Sequence, residues 1–199
     1  MDFIIAVQES DVRNRVVLGL PDFCLCVRGV CMLWIDMDGV LNRYERWVYR
    51  GSSPLFLQSN AHYYRTAPVD KKGVELLNIS TRFGTDYRIL SSLPNGVIRM
   101  EHYNDKLYWL IKNFPDAANK FLICSGSKVD YVKDMMGIDS LSESDILIDD
   151  FNPNLVEWNR AGGTAIKFIN GVNTASSWEG FKIKGIDDLV EILKSLRRE

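Results

Sequence analysis

Two carboxylates, two residues apart and followed by glycine, stand at Asp36-Met37-Asp38-Gly39. An aspartate can attack phosphorus and carry it as an acyl phosphate. A second carboxylate within reach can protonate the leaving oxygen and then deprotonate the attacking water. Gly39 lets the backbone turn sharply at this point. Calcium loops also use Asp-x-Asp-Gly, but they need further ligands and a closing Glu at set spacing. Here Val40-Leu41 follow instead. Ser91 and Ser92 offer hydroxyls to a phosphate oxygen, with backbone N–H groups beside them; the plainer role of a serine at such a place is a turn. Lys128 can neutralise phosphate charge, or simply be solvated. Asp149 and Asp150 follow three apolar residues, and adjacent carboxylates are expensive to place near a core without a cation. Mg2+ suits them, since it takes carboxylate oxygens, waters and substrate phosphate. The competing role for the pair is to cap the helix that starts near Pro153, but Asn152 is the expected cap there.

The elements that must position these groups follow from the apolar pattern. Short unalternated apolar runs at 32–35, 87–90, 121–124, 146–148 and 165–169 predict strands buried on both faces of a parallel sheet. Helical patterns fall between and after them, at 74–83, 105–114, 129–136, 152–161 and 187–196. The second places Leu107, Leu110, Ile111 and Phe114 on one face, and the last turns Leu189, Ile192, Leu193 and Leu196 inward. The fourth runs from the Asn152 cap to Gly162-Gly163. This alternation predicts a doubly wound α/β fold with a mainly parallel five-stranded sheet and right-handed crossovers. The four reactive clusters then lie at four strand ends, on one rim. In-line phosphoryl transfer needs a nucleophile, a cation and fixed donors around the phosphoryl oxygens, and little else.

Residues 43–67 break the rhythm. They are dense in aromatics and arginine (Tyr44, Trp47, Tyr49, Arg50, Tyr63, Arg65 among them) and read as a small cap inserted after the first strand. Such a piece would sit over the carboxyl ends of the strands, where ligands bind in this architecture. Residues 1–30 hold short apolar pieces without a clear period. They read either as a leader preceding the domain at Met32 or as an added edge strand, and no function is assigned to them.

Bulk properties narrow the partners. Lys+Arg total 24 against Asp+Glu 26, so no basic excess exists for duplex nucleic acid. Four cysteines and two histidines, without zinc spacing, point away from a disulfide framework or a Cys/His zinc site and fit a reducing compartment. No apolar run approaches the roughly 20 residues of a bilayer span. Asp2, Glu9 and Asp11 stand where a signal peptide would carry positive charge. The expected location is the cytoplasm, and a homodimer is the one assembly considered.

With these motifs in order, residues 32–195 resemble the haloacid dehalogenase superfamily, and within it the 5'(3')-deoxyribonucleotidases. The likeness is carried by Asp36 to Leu41 followed by Tyr44-Glu45, by Tyr63-Tyr64-Arg65 with Pro68 and Gly73-Val74-Glu75-Leu76, by Asp105-Lys106-Leu107-Tyr108-Trp109-Leu110 with Lys112 and Phe114, and by Leu147-Ile148-Asp149-Asp150. The resemblance implies a Mg2+-dependent phosphomonoesterase acting on a small phosphate ester, a nucleoside monophosphate. Asp36 would be nucleophile and metal ligand, and Asp38 the acid/base with its carbonyl on the metal. Ser91, Ser92 and Lys128 would hold the phosphate. Asp149 and Asp150 would complete the metal site, either one as the direct ligand with Asp150 favoured, and Tyr44 would stack on the base, with Trp47 beside it; packing of a short cap helix is the other role for this aromatic pair. Two departures bear on selectivity: the cap is shorter than the family's, and the second motif carries serine instead of threonine. A phosphatase for sugar phosphates or nucleic-acid ends, and a non-catalytic nucleotide- or protein-binding module, are the alternative functions.

Overall fold

The apolar run before Asp36 forms β1 (Met32–Ile35). The computed structural model describes residues 32–43, 62, 64–93, 99–171 and 177–196. Residues 1–30 and most of the stretch 43–67 expected to form a cap, Tyr44 and Trp47 included, lie outside the described residues. A 3-10 turn (Tyr64–Thr66) leads into a helical stretch. Asp70 opens it as N-cap, accepting from the backbone N–H of Lys72 and Gly73 at 3.0 Å each. The stretch consists of α1 (Lys71–Glu75), a 3-10 turn (Leu76–Asn78) and α2 (Ile79–Phe83), so it starts three residues earlier than its apolar period suggests. Gly84 ends it in the left-handed conformation, φ 67°.

There follow β2 (Tyr87–Ser92), α3 (Arg99–Asn113), α4 (Pro115–Ala118), β3 (Phe121–Cys124), α5 (Lys128–Met136), β4 (Asp145–Asp149), α6 (Asn152–Arg160), β5 (Thr164–Phe168), β6 (Phe181–Ile183) and α7 (Ile186–Leu196). The strands form one sheet of order β3-β2-β1-β4-β5-β6, and every neighbouring pair is parallel. Six strands are present among the described residues where five are expected. The sixth is an edge strand of three residues with only Ile183 buried, too short and too polar to register as an apolar run.

Alternation along the strands divides the core in two. Leu33, Ile35, Ile89, Ile146, Ile148 and Ile166 join Leu76, Ile79, Trp109, Leu110, Leu189 and Leu193 of the helical elements on one face. Trp34, Leu90, Leu147 and Ala165 join Val129, Val132, Leu155 and Trp158 of α5 and α6 on the other. Each fully buried side chain of this kind contributes about 1.5–3 kcal/mol. The order reverses direction between β1 and β4, which opens a crevice beyond their carboxyl ends.

One helix face differs from expectation. Along α3 the buried residues are His102, Asp105, Lys106, Trp109 and Leu110, while Ile111 is half exposed. The helix is rotated from its apolar stripe because Lys106 and Asp105 each meet ionic partners inward, and Trp109 donates its indole N–H to the Ala67 carbonyl at 2.6 Å.

Candidate active site

Register brings the two acidic clusters together. Ile35 pairs with Ile148, and the Asp36 N–H donates to the Ile148 carbonyl at 2.9 Å. Asp36 is two residues on from Trp34 and Asp149 two on from Leu147. Continuing the alternation, both turn to the face carrying α5. Lys128 is the first residue of α5, whose N-cap Ser127 accepts from the Asp130 N–H at 3.1 Å. Its ammonium therefore reaches both acids, 2.6 Å from Asp36 Oδ1 and 2.7 Å from Asp149 Oδ2.

Asp36, Asp149 and Asp150 are all buried and each offers a carboxylate oxygen, the three lying within 4.8 Å of one another. Lys128 pairs with only Asp36 and Asp149, so the three carboxylates carry more negative charge than one ammonium offsets, which a divalent cation fits. Asp150 is held by Asn170, whose amide donates 2.8 Å to Asp150 Oδ2 and 2.9 Å to the Gly39 carbonyl. The turn at Gly39 is specific to glycine, since φ is 79° and a Cβ there would lie 2.2 Å from Asp150 Oδ2.

Burial raises the Asp36 carboxyl to about 7, with Lys128 pulling it down and Asp149 and Asp38 pushing it up. Burial works against the charge of Lys128, but Asp149 and Asp36 outweigh it and raise its pKa, so the ammonium is charged at neutral pH.

Asp38 lies in the loop after β1. That loop is tied by Leu41 and Asn42 N–H bonds to the Met37 carbonyl at 2.9 and 3.0 Å. Asn42, fully buried, donates its amide to Asp38 Oδ1 at 2.9 Å. Lys106 of α3 donates to Asp38 Oδ2 at 2.5 Å and to Ser91 Oγ at 2.9 Å. Ser91 is fully buried and, two residues on from Ile89, faces α3. Ser92 turns the opposite way, its hydroxyl 3.3 Å from the buried Cys124 thiol.

The expected residues thus fall in two neighbouring groups. Asp36, Lys128, Asp149 and Asp150 form one; Asp38 and Ser91 form the other, joined through Lys106. Asn42 and Asn170 carry no signal of their own in the sequence, and Lys106, though it falls in the family-like stretch 105–110, carries none for a site role, since each becomes a site residue only through tertiary contacts. The role expected of Asn152 is corrected. It is the first residue of α6 and not its cap; the cap position is Phe151, without a side-chain cap bond. The Asn152 side-chain Oδ1 instead accepts from buried Lys167 at 2.5 Å, a charge whose desolvation demands an acceptor. Asp149 helps open the helix, accepting from the Phe151 N–H and the Asn154 amide at 2.8 Å each.

No described helix is long and apolar enough to cross a membrane. No protein-family model matches the chain, and no curated protein matches it in sequence. Solved structures do resemble it. A D,D-heptose 1,7-bisphosphate phosphatase from B. bronchiseptica, complexed with magnesium and phosphate, aligns at TM-score 0.57 and 12% identity over 84% of this chain and 99% of that one. The enzyme of the same description from Burkholderia thailandensis aligns at 0.56 and 10%, over 83% and 99%. A HAD family hydrolase from Deinococcus radiodurans R1, with bound phosphate and sodium, aligns at 0.54 and 16%, over 83% and 96%. At these identities the likeness concerns architecture, and the chain has the fold of the haloacid dehalogenase-like hydrolases.

Proposed function

We propose that this chain is a magnesium-dependent phosphomonoesterase that works through a phosphoaspartate on Asp36 and takes a (deoxy)nucleoside monophosphate. The observation that carries the reading is the buried Asp36–Asp149–Asp150 group, within 4.8 Å and at the switch point of the sheet. Asp36, Asp149 and Asp150 would hold Mg2+ through their carboxylates, with the Asp38 carbonyl as a further ligand. Bound there, Mg2+ supplies charge neutralisation for the phosphoryl oxygens and the attacking carboxylate.

The chain's own residues do the rest. An Asp36 oxygen attacks phosphorus in line while the ester P–O bond breaks, and Asp38 gives its proton to the departing oxygen. Asp38 then takes a proton from the water that attacks the phosphoaspartate, releasing phosphate and restoring Asp36. Lys128, now between Asp36 and Asp149, shifts part of its charge onto the incoming phosphate. Ser91 donates to a phosphate oxygen, and Ser92 contributes at the same strand end. Residues 43–67 serve as a small cap, with Tyr44 and Trp47 supplying ring faces for a base.

The motif likeness around Tyr44, Tyr63–Arg65 and α3 favours the nucleotide. Sugar phosphate is the second reading, favoured by the two heptose bisphosphate phosphatases among the similar structures. Phosphate release from a panel of nucleoside monophosphates and sugar phosphates, with and without Mg2+, separates them. The expected result is Mg2+-dependent release, fastest from deoxynucleotides. Preference for sugar phosphates overturns the nucleotide assignment, and no release from any ester overturns the enzyme.

A further inference from the structure

Lys106 is the most enclosed cation among the described residues of the site. It is fully buried, and its ammonium donates to Asp38 Oδ2 at 2.5 Å, Ser91 Oγ at 2.9 Å and the Ser92 carbonyl at 2.6 Å. The fourth side is closed by the Tyr64 ring, 4.5 Å from Nζ to centroid. Tyr64 lies in the 3-10 turn before α1, so a single nitrogen touches the loop after β1, the end of β2 and that turn.

An ammonium has three donors and no acceptor, and these three contacts use all of them. Lys106 therefore has no proton left for a phosphate oxygen unless one of the bonds breaks. Its effect on Ser91 is directional. Ser91 Oγ must accept from Lys106, so its own proton goes to some other acceptor. Its effect on Asp38 is positional: Lys106 holds one carboxylate oxygen and Asn42 the other, which fixes the plane of the group.

We propose that Lys106 is a positioning residue, holding the Asp38 carboxylate and the Ser91 hydroxyl in one fixed arrangement so that the Ser91 proton is presented to the phosphoryl group while Asp38 is aimed at the leaving oxygen. This rests on the phosphomonoesterase reading and extends it. A buried lysine with only a structural role would cost stability on removal. It would not link turnover to phosphate affinity through Ser91.

The test is a double-mutant cycle on the full chain with Mg2+, using Lys106→Met, Ser91→Ala and the pair together. The readouts are kcat and KM on the best ester of the panel and the affinity for inorganic phosphate. Lys106→Met is expected to lower kcat about 100-fold, the scale of loss from misplaced groups, and to weaken phosphate binding about tenfold. Adding Ser91→Ala to Lys106→Met should weaken phosphate less than twofold further, because the hydroxyl is no longer oriented. Normal phosphate affinity in Lys106→Met, or effects of the two substitutions that simply multiply, overturns the proposal. Should Lys106→Met fail to fold, Lys106→Arg keeps the buried charge but spreads its donors in a planar fork; both losses should persist in smaller degree, and unchanged values for both overturn the proposal. Failure of the parent reading looks different: the unmodified protein neither releases phosphate nor binds it with Mg2+, and the proposal then falls with it.

Discussion

Asp36→Asn protein folds and loses phosphate release by at least about 10⁴-fold, the scale seen when a covalent nucleophile is removed. The amide cannot form the acyl phosphate, and the metal group loses a charged ligand. The same substitution has a second signature. In the metal-free protein the Asp36 carboxyl sits near 7 against an ordinary 3.8, chiefly through burial. A group raised in this way contributes stability that is complete below 3.8 and is lost as pH rises through about 7. Without Mg2+, the unmodified protein should therefore lose thermal stability between about pH 4 and 7, and Asp36→Asn should flatten that slope. Mg2+ should raise the melting temperature of the unmodified protein at pH 8 and do so far less for the variant. Calorimetric melts across pH, with and without Mg2+, together with a phosphate-release assay, check all of this. Retained turnover in Asp36→Asn would reject the nucleophile.

Lys128→Met has the larger effect on the fold. Lys128 bonds Asp36 and Asp149, both buried, at 2.6 and 2.7 Å, and removing one partner of such a pair leaves the other charge uncompensated. The cost is about 3–5 kcal/mol, a large part of the roughly 5–15 kcal/mol that holds an ordinary domain. Two features mark the mechanism. The loss should be smaller at pH 5 than at pH 8, because Asp36 can take a proton when its cation is gone. Mg2+ should restore much of the loss, since a divalent ion in the acidic group replaces the missing charge. Denaturant titrations at the two pH values, each with and without Mg2+, measure both. A substitution that costs under about 1 kcal/mol at pH 8 would show that Lys128 does not neutralise the acids.

The central carboxylates are legible in the sequence because strand patterns carry register information. An unalternated apolar run ending in Asp, found twice, predicts two parallel strands with acids on the same rim; that the two are neighbours, with Ile35 paired to Ile148, is what the structure adds. Lys128 is legible for a similar reason, as a charged residue opening a helix just after a strand. Lys106 is not. It lies in mid-helix among Leu107, Leu110 and Ile111, whose spacing suggests an apolar stripe, yet the observed inward face includes Asp105 and Lys106. Periodicity weighs only hydrophobic burial, and here ion pairs outweigh it. Arg65 Nε lies 3.0 Å from Asp105 Oδ1, and Lys106 meets Asp38. Asn42 and Asn170 escape for a related reason, since nothing local distinguishes an amide that will hold a carboxylate from one in a turn. The edge strand β6 lacks an apolar run because two of its three residues face solvent.

The proposed chemistry requires Asp36, Asp149 and Asp150 to share one divalent cation, and the direct test is to see that ion. Crystals grown with Mn2+ in place of Mg2+ and measured for anomalous scattering should show one strong peak within about 2.3 Å of a carboxylate oxygen of Asp36 and of the Asp149–Asp150 pair. A peak elsewhere, or none at saturating Mn2+, would contradict it.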